Sequence, residues 1–190
     1  MNYNKTISTA AGIGLGAIAG LMISKIIEKK CAAKKMLTRY VTTSSFIRAE
    51  SSGVNNVKYY NSDGSGIERI GGSRSWRNNN PGNIRKASYE IGSAGGFSVF
   101  ADYETGFYAI IDLLQSENYK KLSIEDAVMR YAPPAENDTE NYKKLISDFT
   151  GLDNTKILAT LSSKELESVA KAIQRIEGYF VGKETAFAIS

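Results

Sequence analysis

The string Trp76-Arg77-Asn78-Asn79-Asn80-Pro81-Gly82-Asn83-Ile84-Arg85 restricts this chain more than any other stretch. It is crowded with side-chain amides and poor in core-forming residues, so it predicts a loop rather than a buried helix or strand. Pro81 and Gly82 set a turn, and the asparagines bond their own backbone around it. The remaining amides, with the two arginines, are expected to face outward. A densely hydroxylated ligand such as a carbohydrate would suit them. For this run alone the alternative is an ordinary polar loop capped by asparagines.

The chain of 190 residues has room for one domain and an appendage. Its net charge of +4 favours a polyanion nearby, whether nucleic acid, lipid surface or anionic cell wall. Eleven tyrosines suit a groove that stacks on flat ligands. Histidine is absent and Cys31 is the lone cysteine. A Ser-His-Asp triad, a Cys-His peptidase and a histidine-ligated zinc site are therefore excluded as usually built. No metal and no cofactor is expected. Proton transfer must fall to Asp, Glu, Lys or Tyr, and glycosidic bond cleavage is chemistry that carboxylates perform unaided.

The chain divides at the sequence level into residues 1–35, a membrane helix with a basic flank, and residues 36–190. Ala10 to Ile23 is apolar throughout, and residues 7–27 approach the length that spans a bilayer. Gly12, Gly16 and Gly20 share one helix face, a pattern that permits close helix–helix association. A signal peptide is disfavoured because only Lys5 precedes the apolar run. Lys25, Lys29, Lys30, Lys34 and Lys35 follow it, which by the positive-inside rule holds the rest of the chain on the cytoplasmic side.

Beyond the connector, Ser45 to Glu50 reads as a short helix stopped by Gly53. Val57–Tyr60 and Ile67–Ile70 bracket an Asp-Gly turn and read as a hairpin. Phe97, Val99 and Phe100 mark a short strand or corner. Four helices follow, over Glu104–Ser116, Ser123–Tyr131, Thr139–Gly151 and Ser162 or Ser163 to Gly178.

The amide-rich string, Gly95-Gly96-Phe97-Ser98-Val99-Phe100, Glu104-Thr105-Gly106, Tyr131-Ala132-Pro133-Pro134-Ala135-Glu136-Asn137-Asp138-Thr139 and Ile176-Glu177-Gly178 together resemble a family. They are similar to phage and prophage virion-associated peptidoglycan-lytic proteins, and to muramidase modules of Rhs and type VI secretion effectors. The likeness covers roughly Val57 to Gly182 and excludes the membrane segment. It implies a mainly α (α+β), lysozyme-like helical domain with a small β-hairpin. It also implies cleavage of the glycan strand between N-acetylmuramic acid and N-acetylglucosamine, as muramidase or lytic transglycosylase.

Ala49-Glu50-Ser51-Ser52-Gly53 resembles the Glu-Ser-Gly string that carries the acid of bacterial glucosaminidases and lytic transglycosylases. Glu50 is therefore the expected acid, at a helix end, desolvated by the hairpin to stay protonated. Asp63 is the candidate second carboxylate, although the turn before Gly64 explains it equally well. Glu104, Glu136 and Glu177 compete for the role, with Glu136 and Glu104 the best reserves. Glu177 could instead close the core against Arg175 or Arg77. Substrate binding is expected of Tyr60, Asn80, Asn83, Arg85, Tyr131, Glu136 and Asn137. A lytic transglycosylase dispenses with a second carboxylate, because the sugar's own C6 hydroxyl attacks.

The expected function is peptidoglycan cleavage by a membrane-anchored enzyme of a virion, lysis system or effector. The alternative is an inactive wall-binding virion component. The expected partners are glycan strands and a bilayer, and not nucleic acid, since no strip of alternating tyrosine and arginine is present. Localisation is expected at a virion membrane or on the envelope's periplasmic face. The basic flank opposes that placement unless a viral membrane, a releasable anchor or a secretion machine delivers the domain.

Overall fold

Alternation of side chains, not helical periodicity, shapes the start of the folded domain. A computed structural model describes residues 46–188, which belong to one compact unit, Tyr40–Ser190. Strand β1 (Phe46–Gly53) buries Ala49 while Arg48 and Glu50 point to solvent. It turns through Val54-Asn55, with Asn55 in the left-handed region at φ 60°, into β2 (Asn56–Asn61). The hairpin of β2 with β3 (Gly66–Ile70) forms as expected.

Strand β6 (Lys183–Phe187) returns from the carboxyl-terminal end and pairs antiparallel with β3, giving the sheet order β1-β2-β3-β6. A second small sheet joins β4 (Gly92–Ala94) to β5 (Phe97–Val99). It leans on β1, where the Ala49 amide donates to Ile91 O at 2.9 Å. A side chain at Gly92 would sit 1.9 Å from the Ala49 carbonyl, so this contact requires glycine.

The helices are α1 (Arg74–Arg77), α2 (Tyr103–Gln115), α3 (Ile124–Tyr131), α4 (Thr139–Thr150) and α5 (Ser163–Glu177). Their ends follow local chemistry. Asp102, Ser123, Asp138 and Ser162 each cap the next helix by accepting a backbone N–H. Ser162 and Glu165 form a full capping box, and Gly151 closes α4 at φ 67°.

Two apolar clusters result. The larger gathers residues such as Phe100, Ile110, Ile146, Leu166 and Ile173 among the helices. The smaller gathers Ala49, Val57, Tyr59, Ala94 and Val99 beneath the sheet.

The mainly α, lysozyme-like expectation is thus corrected. Two antiparallel sheets make up a substantial part of the domain, and the Ser45–Glu50 helix is a strand. Phe46 and Ile47 favour an extended chain once β2 offers a partner. Residues 7–27, with Gly12, Gly16 and Gly20, lie outside the described residues. Among the described residues no helix is long and apolar enough to cross a membrane.

The amide string departs from its expected orientation. Asn78, Asn79 and Asn80 are 1%, 3% and 0% exposed, and Trp76 and Arg77 are buried in α1. Asn80 Nδ2 donates to Ile84 O at 2.8 Å and to Ser98 O at 2.9 Å, while its Oδ1 accepts from Ile84 N at 2.8 Å. Asn79 Nδ2 donates to Phe100 O and Ala101 O, each at 3.2 Å, and Asn78 Nδ2 to Ala94 O at 3.2 Å. These amides satisfy backbone carbonyls that the fold would otherwise strand without water.

Arg69 fastens the sheet to the same loop through Trp76 O and Asn79 Oδ1, both at 2.7 Å. On the other side a Cβ at Gly106 would lie 1.7 Å from Asn79 O, so α2 packs directly on the loop backbone. That accounts for Gly106 in the Glu104-Thr105-Gly106 string.

The fold makes two predictions, one for the amide loop and one for the α5 cap. Asn80→Ala removes three bonds at a sealed site and is expected to cost about 3 kcal/mol in urea unfolding, whereas exposed Asn137→Ala stays within about 0.5 kcal/mol. A small Asn80→Ala effect would show that the amide is not structural.

The second concerns acid. The Lys156 ammonium, 2.5 Å away, and then the Ser162 amide and hydroxyl hold the Glu165 carboxyl down at about 2, against an ordinary 4.5. A depressed carboxylate contributes stability that is present above the unfolded value and lost as pH falls through the folded one. Melting temperature should therefore fall between pH 4.5 and about 2 by less in Glu165→Gln than in the native chain. Equal acid slopes would contradict this.

Candidate active site

The loop that is knotted into the core leaves one edge free. After Asn80 the chain turns through buried Pro81 and Gly82 and emerges at Asn83, held in the left-handed region at φ 45°. Asn83 Nδ2 donates to Glu177 Oε2 at 2.8 Å. The Tyr142 hydroxyl donates to Glu177 Oε1 at 3.1 Å. Glu177 is the last residue of α5, Tyr142 lies on α4, and Asn83 belongs to the loop. Three elements thus fix one carboxylate, one donor to each oxygen. Burial pushes the Tyr142 hydroxyl well up, so it remains a proton donor.

This carboxylate lies in the wall of a cleft of about 650 Å³. Gly82, Asn83, Ile84 and Arg85 form one side. Tyr131 at the end of α3, with Pro133, Glu136 and Asn137 from the segment between α3 and α4, forms the other. The Tyr131 hydroxyl donates to Gly82 O and ties the two sides at the floor. Burial raises that hydroxyl too. Thr139 Oγ1 donates to Ala132 O at 2.6 Å and pins the far segment. At the rim Arg85 pairs with Glu136 at 2.8 Å, with side chains 63% and 57% exposed.

Asn83 combines a left-handed backbone with a buried Oδ1 that has no hydrogen-bond partner among the described residues. Strained, under-satisfied residues concentrate where function demands them. That observation, with the cleft and its carboxylate, marks this as the candidate site.

Several expected site residues come together here: Asn83, Arg85, Tyr131, Glu136 and Asn137 all line the cleft. Others do not. Asn80 is sealed inside and cannot touch a ligand. Glu50 and Tyr60 lie on the outer face of the sheet and are not among the cleft residues. The Glu50 carboxyl accepts from the Tyr60 hydroxyl and from Arg48, both at 2.5 Å. The Tyr60 bond and then Arg48 lower its pKa, the opposite of an acid that must stay protonated. The hairpin pairs with β1 edge to edge, so it does not cover Glu50.

Asp63 accepts from the Ser65 amide at 2.9 Å and from its hydroxyl at 2.6 Å. It is a turn residue, and those bonds hold its carboxyl low. Glu104 is exposed on the first turn of α2, whose cap is Asp102. Burial does raise one carboxyl, Asp112 on α2, but it keeps an exposed flank and does not line the cleft. Glu177 is the carboxylate the site is built around. Its position after a capped helix and before Gly178 was the available signal. Among the described residues no cluster of His, Cys, Asp or Glu has the makings of a metal site.

Comparison with known proteins gives one relative to set beside this geometry. Over 97 residues the chain is 33% identical to Protein P5 of Pseudoalteromonas phage PM2. The chain is similar to a bacteriophage protein. The matched stretch covers 45% of this chain and 61% of Protein P5, so the chain spans less than two thirds of that relative's length. No family model matches the chain, lysozyme-like or other.

The rim pair sets a prediction. Ion pairs exposed on both sides contribute little, so Glu136→Gln should shift urea stability by less than about 1 kcal/mol. A larger loss would make the pair a structural clasp rather than a cleft rim open to ligand.

Proposed function

We propose that the cleft binds a peptidoglycan glycan strand and that Glu177 carries the proton that cleaves it. The carrying observation is the placement of Glu177 in the cleft wall, gripped through both oxygens by Asn83 and Tyr142. A reacting group must be held within fractions of an ångström, and neutral donors on a helix and a locked loop accomplish that. The resemblance of the cleft-forming strings to wall-lytic proteins supports the choice of substrate. The likeness to a phage protein supports a virion or lysis setting.

The chemistry uses one carboxyl. In this step the Glu177 carboxyl, when it carries a proton, gives it to the glycosidic oxygen as the bond between that oxygen and C1 of N-acetylmuramic acid breaks. The resulting carboxylate stabilises the oxocarbenium ion across the cleft. It then takes a proton from the incoming nucleophile, either water or the sugar's C6 hydroxyl, as the new bond to C1 forms. Glu136 remains at the rim with Arg85 and need not take part. Asn83, Asn137 and Tyr131 offer amide and aromatic contacts to the sugars.

The full-length chain is expected to lower the turbidity of isolated sacculi. Glu177→Gln should reduce the rate by about 100-fold or more, the usual worth of a general acid, while Glu50→Gln keeps native activity. Released fragments with anhydro ends would identify a transglycosylase, and reducing N-acetylmuramic acid a muramidase. An active Glu177→Gln variant would overturn the assignment. Binding to sacculi without any cleavage would make the protein a wall-attachment component.

A further inference from the structure

The cleft carries more positive charge than a neutral sugar needs. Arg74, Arg85, Lys86 and Arg130 line it, against Glu136 and Glu177. Two of these cations have other partners: Lys86 pairs with Glu90, and Arg130 donates to Asn118 O. Arg74 and Arg85 do not have enough. Both guanidiniums lie over one ring, Phe97, with Cζ 3.9 Å and 4.9 Å from its centroid. Arg74 is exposed, and its guanidinium has no carboxylate or carbonyl partner among the described residues. Arg85 has only the exposed Glu136.

An aromatic face attracts a cation and fixes its plane, but it supplies no hydrogen-bond acceptor. Two guanidiniums gathered on one ring therefore line the cleft with a single carboxylate, Glu136 on Arg85, paired to them. Planar guanidinium edges match a carboxylate bidentately, which a lysine ammonium does not.

We infer that Arg74 and Arg85, stacked on Phe97, clamp a carboxylate of the substrate. The cleft thereby selects glycans containing N-acetylmuramic acid over neutral N-acetylglucosamine polymers. This rests on the glycan reading of the same cleft. The carboxylate belongs to the lactyl ether where the stem peptide is absent, and to the peptide itself where that lactyl group is amidated.

The test is calorimetric binding to the full-length chain carrying Glu177→Gln, so that ligands persist. Three probes are compared: a peptide-free tetrasaccharide of alternating N-acetylmuramic acid and N-acetylglucosamine, its peptide-bearing counterpart, and chitotetraose. At low ionic strength at least one carboxylated probe should bind about tenfold tighter than chitotetraose. The tighter of the two identifies which carboxylate is held. Arg74→Gln and Arg85→Gln should each remove most of that preference. In the Glu177→Gln chain without further change it should shrink in about 0.5 M salt, a readout that needs no arginine variant to fold.

Equal affinity for all three probes would overturn the clamp, as would tighter binding of a single-stranded oligonucleotide of matching charge. Sacculus cleavage with equal affinities removes the clamp and leaves the proposed function. A preference for the carboxylated probe without cleavage by the native chain does the reverse.

Discussion

Buried amide-to-carbonyl bonding is the constraint on which this domain depends. Asn78, Asn79 and Asn80 sit where the sheet-side cluster meets the helical core, and each spends its side chain on main-chain oxygens. Apolar residues there would leave those carbonyls orphaned, at a cost of a few kcal/mol each. The loop backbone is pressed against α2, whose Gly106 lies on the Asn79 main-chain carbonyl. The loop is therefore rigid although it has almost no regular structure. Its rigidity is what delivers Asn83 to a fixed point at the cleft edge.

From that point the geometry extends outward. Asn83 reaches α5 through Glu177, and Tyr142 reaches it from α4. The Tyr131 hydroxyl on Gly82 joins α3 to the same turn. A single loop thus sets the spacing between three helices, and the carboxylate is the meeting place. Cations occupy the opposite balance: Phe97 holds two guanidiniums near a rim with one exposed acid. A strand that offers both hydroxyls and carboxylates is complementary to such a trough, and a neutral one is less so.

Local chemistry was readable from the residues, and non-local pairing was not. The caps at Ser123, Asp138 and Ser162 and the stop at Gly151 depend on neighbours three or four positions away, and those helices lie where the spacing placed them. The β2–β3 hairpin follows from its Asp-Gly turn. Lys183–Phe187 carries no comparable mark, because its strand character exists only against β3, more than a hundred residues earlier. Glu50 was misplaced for a related reason: Glu-Ser-Ser-Gly has the look of a helix end, but Ala49 alternates with charged neighbours and pairs with Tyr59. The asparagine trio was recognised as exceptional yet turned outside in, since only the folded chain shows which carbonyls need donors. Asn83, Arg85, Tyr131, Glu136 and Asn137 do share the cleft. Glu177 holds neither Arg175, which lies over Phe149, nor Arg77, which serves Gly71, Gly72 and Asn55.

The most direct examination of the account is a crystal structure of the full-length Glu177→Gln chain soaked with an alternating N-acetylmuramic acid–N-acetylglucosamine tetrasaccharide. The sugars should lie between the Asn83 turn and the Pro133–Asn137 segment, with a glycosidic oxygen within about 3 Å of the side chain at position 177. A saccharide seated instead on the outer sheet beside Tyr60 and Phe187, with the cleft vacant, would contradict it.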